Sequence, residues 1–160
     1  MNSFTSHDPA SGASFVWSVR VRPGQDGQAV ASARSNLFTV CGQASFKEAD
    51  PNPSAVEYLL GILGGDLLSG FAAQAKRSGV LLYALEVTVS GRLNNPLVHL
   101  GVIGEEGHPG FEEISGTFYV SADAEEADLE SLWQETLRRS PLVNTLQRAV
   151  TLTLALRVIP

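Results

Sequence analysis

Residues 57–66 read EYLLGILGGD, and this stretch decides the fold because it lies inside a long apolar segment. Asn52 is suited to cap a helix there, with Pro53 at the first helical position, where its missing N–H costs nothing. Gly79 is suited to end the helix. The apolar residues between these limits cover more than one stripe of the helix surface. We therefore predict one long helix that a wrapped sheet or a second subunit covers on several sides.

Segments on both sides of this helix alternate between apolar and polar residues, as strands do. Turn residues at 23–27, which read PGQDG, separate the first two of these segments. We predict a hairpin and a third short strand over residues 14–40, followed after the helix by strands over 80–91, 97–103, 111–121 and 151–159.

Two further helices are predicted late in the chain. One covers residues 124–138, with Asp123 as its cap, acidic residues in its first turn and Arg138 in its last. The other begins at Ser140 and Pro141, where residues 140–146 read SPLVNTL. The fold class is therefore α+β.

The composition is that of one folded soluble domain, with 44% hydrophobic and 18% charged residues among 160. We expect a flexible tail over residues 1–13 and a single domain over 14–160. The net charge of −6 argues against nucleic acid or an anionic membrane as partner, because both bind through Lys and Arg. The polar N-terminus and the carboxylate of Asp66 within the long helix favour a cytoplasmic protein over an exported or membrane-inserted one.

The chain has one cysteine, which rules out an intramolecular disulfide, and it has three histidines. The neighbours of Cys41 offer no cation or helix N-terminus that would activate a thiolate, so we expect an inert cysteine at a strand end. No two histidines share metal-ligand spacing, and no glycine-rich loop is placed to hold a phosphate. The sequence predicts neither a metal site nor a cofactor.

Taken together, residues 57–66 and 140–146 resemble the two motifs of the OsmC/organic hydroperoxide resistance (OsmC/Ohr-like) family. In that family the motifs read roughly E-L-L-x-A-x-L-x-x-C and C-P-V-x-x-T/A-L, and the two cysteines reduce peroxides. Asp66 and Ser140 occupy the cysteine positions in this chain. The resemblance extends over nearly the whole chain and implies the family's fold, in which antiparallel sheets wrap around a long central helix in an intertwined homodimer.

A third, less specific part of the resemblance lies in the first turn. The hydroperoxide resistance branch positions its thiolate with an arginine from such a turn, held by a glutamate of the long helix. Here the turn places Gln25 at the arginine position, while Glu57 is retained. The resemblance thus implies a divergent member that lacks both redox cysteines.

Asp66 needs a partner, because an unpaired buried carboxylate costs several kcal/mol. The family layout places it beside Arg138 and Arg139, within the chain or across the dimer, so one interpretation is a structural ion pair. The other is an acid that faces a ligand. Ser140 followed by Pro141 is what a helix start requires, and a hydrolase that uses Asp66 with Ser140 would lack a histidine in either motif.

These observations predict an OsmC-like homodimer without thiol peroxidase activity. Its former active-site cleft would bind a small apolar or amphipathic molecule, beside a set of polar residues comprising Gln25, Glu57, Asp66, Arg138, Arg139 and Ser140. Two enzymatic alternatives remain: an organic hydroperoxide reductase that acts through Cys41, and a non-thiol hydrolase or isomerase that uses Asp66 as general acid or base. A hot-dog thioesterase also wraps a sheet around a long helix, but the second helix and the restart at Ser140 count against it.

Overall fold

The computed structural model describes residues 15–41 and 52–160, so the tail predicted over 1–13 lies outside the described residues. The first sheet is antiparallel and small, with β1 (Arg20–Pro23), β2 (Ala29–Ala33) and β3 (Asn36–Val40) in the order β1-β2-β3. Asp26 and Gly27 turn the chain between β1 and β2 with φ angles of 52° and 76°, in the left-handed region that tight turns use. The predicted hairpin and third strand are confirmed.

The long helix α1 (Ala55–Ser78) is confirmed, but its cap is Ser54 and not Asn52. The hydroxyl oxygen of Ser54 accepts a hydrogen bond from the Glu57 N–H (3.3 Å), and the Ser54 N–H donates to Glu57 Oε2 (2.7 Å). This reciprocal capping box satisfies two backbone donors at once, so the helix begins two residues after the predicted Pro53. The predicted end is confirmed, because Gly79 adopts the left-handed conformation (φ 73°) that closes a helix.

The second sheet consists of β4 (Leu82–Leu93), β5 (Phe111–Ala122) and β6 (Thr151–Val158), in the order β4-β5-β6. The β4–β5 pair is antiparallel, as predicted for the sheets, whereas β5 and β6 are parallel. Two helices, α3 (Glu126–Arg139) and α4 (Pro141–Leu146), make the crossover that a parallel pair requires.

The strand predicted over residues 97–103 is wrong. Asn95 caps a short helix α2 (Pro96–His99) there, since its side chain accepts a hydrogen bond from the Leu97 N–H (3.0 Å) and Pro96 stands at the first helical position. Asp123 is likewise not the cap of α3. The residue at that position is Glu125, without a side-chain cap, and the Asp123 N–H instead donates to the Leu81 carbonyl (2.9 Å).

The core lies between the inner face of the second sheet and the helices α1 and α3. Phe71 of α1, Phe118 of β5 and Trp133 of α3 stack in sequence, with ring centroids 4.9 and 5.0 Å apart. Gly64 and Gly70 let α1 come close to its neighbours, because an added Cβ would lie 3.1 Å from Val87 and 3.2 Å from Thr136, respectively. These contacts fix α1 against both β4 and α3.

By length and composition alone, α1 could cross a membrane, with a mean hydropathy of 1.3 over its most apolar window. Its fully buried side chains, Leu63, Leu67 and Phe71, nevertheless pack within the core cluster. The core helix of a folded domain meets the same criterion, and here one side of α1 packs in the core while Ile62 remains 54% exposed.

The first sheet is joined to the rest of the described chain near the beginning of α1. The Tyr58 hydroxyl donates to the Thr39 carbonyl (2.7 Å), and its ring lies 5.7 Å from that of Phe38. Large apolar side chains of this region remain in solvent, with Phe15 82% and Trp17 79% exposed. A single chain therefore leaves a large apolar surface uncovered.

We expect Ser54→Ala to lower the free energy of unfolding by about 1 kcal/mol, because the variant loses the side chain that caps α1. Asn52→Ala should have a smaller effect, although the sequence pattern placed the cap at Asn52. Urea unfolding of both variants beside the unmodified protein tests this. A greater loss in Asn52→Ala would contradict the observed cap.

Candidate functional site

Helices α1 and α4 bring Asp66 and Ser140 into direct contact. The Ser140 hydroxyl donates a hydrogen bond to Asp66 Oδ2, and its oxygen accepts one from the Val143 N–H (2.9 Å). Ser140 is buried and Asp66 is half-buried. The serine therefore caps α4, as its position before Pro141 predicted, and at the same time supplies the hydrogen-bond donor of the carboxylate.

The contact follows from the way α3 lies against α1. Gly70 of α1 packs against Thr136 of α3. Asp66 lies one turn before Gly70, and Ser140 lies one turn after Thr136. The Ser140 N–H still donates to the Thr136 carbonyl (3.0 Å), so Ser140 ends α3 and begins α4. This double role fixes its side chain beside Asp66.

The ion pair predicted between Asp66 and the two arginines is not formed within the chain. Arg138 and Arg139 both bind Glu135, which Arg138 Nε approaches to 2.6 Å. Residues three and four apart on a helix are neighbours, so Glu135 lies within reach of both guanidinium groups. Hydrogen bonds from Arg138 and then Arg139 lower the pKa of Glu135 to about 2.

Gln25 and Glu57 lie apart from the Asp66–Ser140 pair. Gln25 is exposed in the turn before β2, where its carbonyl accepts from the Gln28 N–H (3.0 Å). Glu57 is engaged by Ser54, whose backbone N–H and hydroxyl lower the pKa of the carboxyl. It precedes Asp66 by nine residues, which at about 100° per residue places it on the opposite side of α1. Of the six predicted site residues, the chain brings together only Asp66 and Ser140.

A groove that the sequence did not predict lies between α1 and β4. Its volume is about 450 Å³, and its lining is Glu57, Leu60, Gly61, Gly64, Gly65, Leu68, Val87 and Val89. An added Cβ at Gly61 or Gly65 would meet no atom within 4 Å, so these two glycines face open space. The i, i+4 spacing of Gly61 and Gly65 is the sequence signal that could have indicated this groove.

Cys41 is buried after the end of β3, and its N–H donates to the Pro53 carbonyl (3.0 Å). Its neighbours Gly42 and Gln43 lie outside the described residues. Among residues 15–41 and 52–160, no group of three or more His, Cys, Asp and Glu side chains could hold a metal ion.

The chemistry of the Asp66–Ser140 pair is limited by its atoms. Neither side chain contains sulfur, so a peroxide cannot oxidise either one to a sulfenic acid. The Ser140 hydroxyl donates its hydrogen to the Asp66 carboxylate, and its oxygen accepts the Val143 N–H as the cap of α4. Both hydrogen-bonding roles of the hydroxyl are therefore already taken within the fold. The arrangement forms a noncovalent link between α1 and α4.

The chain has one long core helix, with a three-stranded sheet before it and another after it. This architecture is that of an OsmC-like protein. The model of the family described as "OsmC-like protein" matches residues 47–155, and the chain belongs to this family. No curated protein matches the sequence.

Solved structures of the same fold come from several bacteria. An OsmC-like protein from Mycoplasma pneumoniae is similar with a TM-score of 0.75 at 18% identity, over 91% of this chain and 98% of that one. The organic hydroperoxide resistance protein OhrB of Bacillus subtilis gives a TM-score of 0.58 at 14% identity, over 89% and 98%. A Vibrio cholerae protein assigned to organic hydroperoxide resistance holds captopril in one of its active sites and gives 0.62 at 12%, over 91% and 94%.

A double-mutant cycle should show that Asp66 and Ser140 stabilise the fold jointly. For Ser140→Ala, Asp66→Ala and the double variant, we expect a coupling free energy of about 1.5 kcal/mol, because a hydrogen bond to a charged group is lost in either single variant. The exposed Glu135–Arg139 pair serves as the matched control and should couple less strongly. Coupling near zero between Asp66 and Ser140 in urea unfolding would contradict the contact.

The lowered pKa of Glu135 predicts a pH dependence of stability. Since the folded-state pKa is about 2 and the ordinary value is 4.5, the stabilisation is present above about pH 4.5 and is lost as the pH falls toward 2. Glu135→Gln should therefore destabilise the protein at pH 7 and have less effect near pH 3. Urea unfolding at both pH values measures the difference, and an equal effect at both would refute the prediction.

Proposed function

We propose that this protein is a cytoplasmic OsmC-like homodimer without thiol peroxidase activity, which binds a small apolar or amphipathic molecule beside the Asp66–Ser140 pair. The observation that carries the proposal is the hydrogen bond from Ser140 to Asp66. The two positions that hold cysteines in the resembling family lie side by side, and neither carries a sulfur atom. The fold keeps the site, while the groups that react with peroxide are replaced.

The remaining thiol is poorly placed to substitute for them. Peroxide reduction requires an accessible thiolate, which proteins activate with a nearby cation or a helix N-terminus. Cys41 is only 8% exposed, and it lies at the end of β3 rather than on α1 or α4. These features favour a structural cysteine over a catalytic one.

The proposal of a homodimer is supported by the apolar surface of the single chain. On α1, Ile62 is 54% exposed, and the exposed Gly61 and Gly65 line the groove beside β4. The first sheet exposes both faces of β1, and a three-stranded sheet needs a covered apolar face to be stable. A second copy of the chain would cover both surfaces.

Charge also favours a second copy as the covering partner. The described residues 15–41 contain three arginines, Arg20, Arg22 and Arg34, and one acid, Asp26, although the chain as a whole carries a net charge of −6. The basic first sheet thus complements the acidic remainder, and in a dimer each copy would offer both surfaces.

The ligand part of the proposal is supported by the half-buried carboxylate and by a relative. Asp66 is half-buried, so its carboxylate stays partly accessible to a small molecule. The Vibrio cholerae structure holds captopril in one of its active sites, so a protein of this fold accepts a small molecule there.

Purified protein should consume an organic hydroperoxide, with a dithiol as reductant, no faster than buffer does. Cys41→Ser should give the same rate, because the buried thiol takes no part. Turnover by the unmodified protein that disappears in Cys41→Ser would instead establish a one-cysteine peroxidase and refute the proposal.

Restoring the family's residues provides the complementary test. In the Cys41→Ser background, Asp66→Cys combined with Ser140→Cys should gain hydroperoxide turnover and form an intramolecular disulfide on oxidation. Each single cysteine variant serves as control, since it lacks the partner thiol. If the paired variant folds but forms no disulfide, the two positions are not a redox site that has lost its thiols.

Analytical ultracentrifugation should give a mass of twice the 17.0 kDa chain. Ile62→Glu should shift the protein toward monomer, because it places a charge on the apolar face of α1. Ile103→Glu is the matched control, since Ile103 is fully exposed in the β4–β5 loop and should leave the mass unchanged. A monomer without any substitution would overturn the homodimer.

A further inference from the structure

A second cleft, separate from the Asp66–Ser140 pair, lies where the β4–β5 loop returns to the sheet beside the start of β6. It is open to solvent and has a volume of about 650 Å³. Neither Asp66 nor Ser140 lines it. The cleft is therefore independent of the site considered above.

One part of the cleft is apolar. Phe111, Val150 and Leu152 line it, and all three are partly buried against the hydrophobic core. Their backbone lies at the beginning of β5 and β6, so their positions are fixed by the sheet. A hydrocarbon group would find a preformed surface there.

The other part carries a positive charge. Arg148 lines the cleft, is exposed and forms no ion pair with any carboxylate in the described ranges 15–41 and 52–160. Glu112 also lines the cleft, but its two carboxylate oxygens accept hydrogen bonds from Asn94 and Arg92. Arg92 pairs with Glu112 and also lies 3.7 Å from Glu113, whereas the guanidinium of Arg148 faces the cleft without a carboxylate partner in the described ranges.

Hydrogen bonds hold the rim in place. The Asn94 N–H donates to the Gly110 carbonyl (2.9 Å), and the Asn95 N–H donates to the His108 carbonyl (3.1 Å). The Gly110 N–H in turn donates to His108 Nδ1 (3.2 Å). The end of the loop is thereby tied to the strand that precedes it.

We propose that this cleft binds a small carboxylate with a hydrocarbon body. The guanidinium of Arg148 donates to the carboxylate, and the hydrocarbon lies on Phe111, Val150 and Leu152. A guanidinium presents two parallel N–H groups that match the two oxygens of a carboxylate, which makes arginine the appropriate residue for this ligand class.

Titration with sodium octanoate, followed in ¹H–¹⁵N NMR spectra, tests the proposal. Saturable shifts are expected at the amides of Phe111 and Thr151, and 1-octanol, which has the same chain without the charge, should bind more weakly. Arg148→Gln should weaken octanoate binding about tenfold, because a charge-assisted hydrogen bond is lost. Arg157→Gln is the control, since this arginine stands over the Tyr119 ring on the outer side of β6 and should not affect binding.

Three results would overturn the inference: no saturable shift, equal binding of octanoate and 1-octanol, or unchanged binding in Arg148→Gln. Asp66→Asn separates the two sites. If Asp66→Asn changes octanoate binding and Arg148→Gln does not, the carboxylate lies beside the Asp66–Ser140 pair and the second cleft is refuted. If only Arg148→Gln weakens binding, the second cleft stands whatever the fate of the first site.

Discussion

The close packing of α1 against β4 and α3 is the constraint on which the rest of the structure depends. It requires Gly64 and Gly70, where a side chain would meet Val87 and Thr136. Because Gly70 lies against Thr136, Asp66 and Ser140 meet one turn away. The position of the polar pair is thus a consequence of helix packing.

That pair is the basis of the proposal that the site keeps its geometry without thiol chemistry. In the family that the motifs resemble, two cysteines at these positions react with peroxide and with each other. Here a carboxylate accepts a hydrogen bond from a hydroxyl that also caps α4, so the two helices remain linked without a redox-active atom. A hydroxyl–carboxylate hydrogen bond can hold two elements together, but it cannot transfer electrons.

The first sheet and α1 expose apolar surface, and the proposed homodimer would cover it. Val21 of β1 and Leu37 of β3 are 59% and 73% exposed, and Gly61 and Gly65 leave an open groove on α1. Hydrophobic surface of this extent is unfavourable in water, so it is expected to be covered in solution. The Arg148 cleft lies at the beginning of β5 and β6, and it combines a positive charge with an apolar floor.

The sequence by itself determined the long helix, the α+β class, the family and the serine cap of α4, because periodicity, capping residues and motifs are local properties. The sequence pattern placed the cap of α1 at Asn52, but Ser54 forms the cap together with Glu57. It also predicted a strand over 97–103, where Asn95 and Pro96 instead begin a short helix. Only the tertiary structure decided that Asp66 is bound by Ser140, that both predicted arginine partners bind Glu135, and that Arg148 lines a cleft. These contacts depend on how α3 lies against α1 and where β6 begins, and such distances are set by packing rather than by neighbouring residues in the chain.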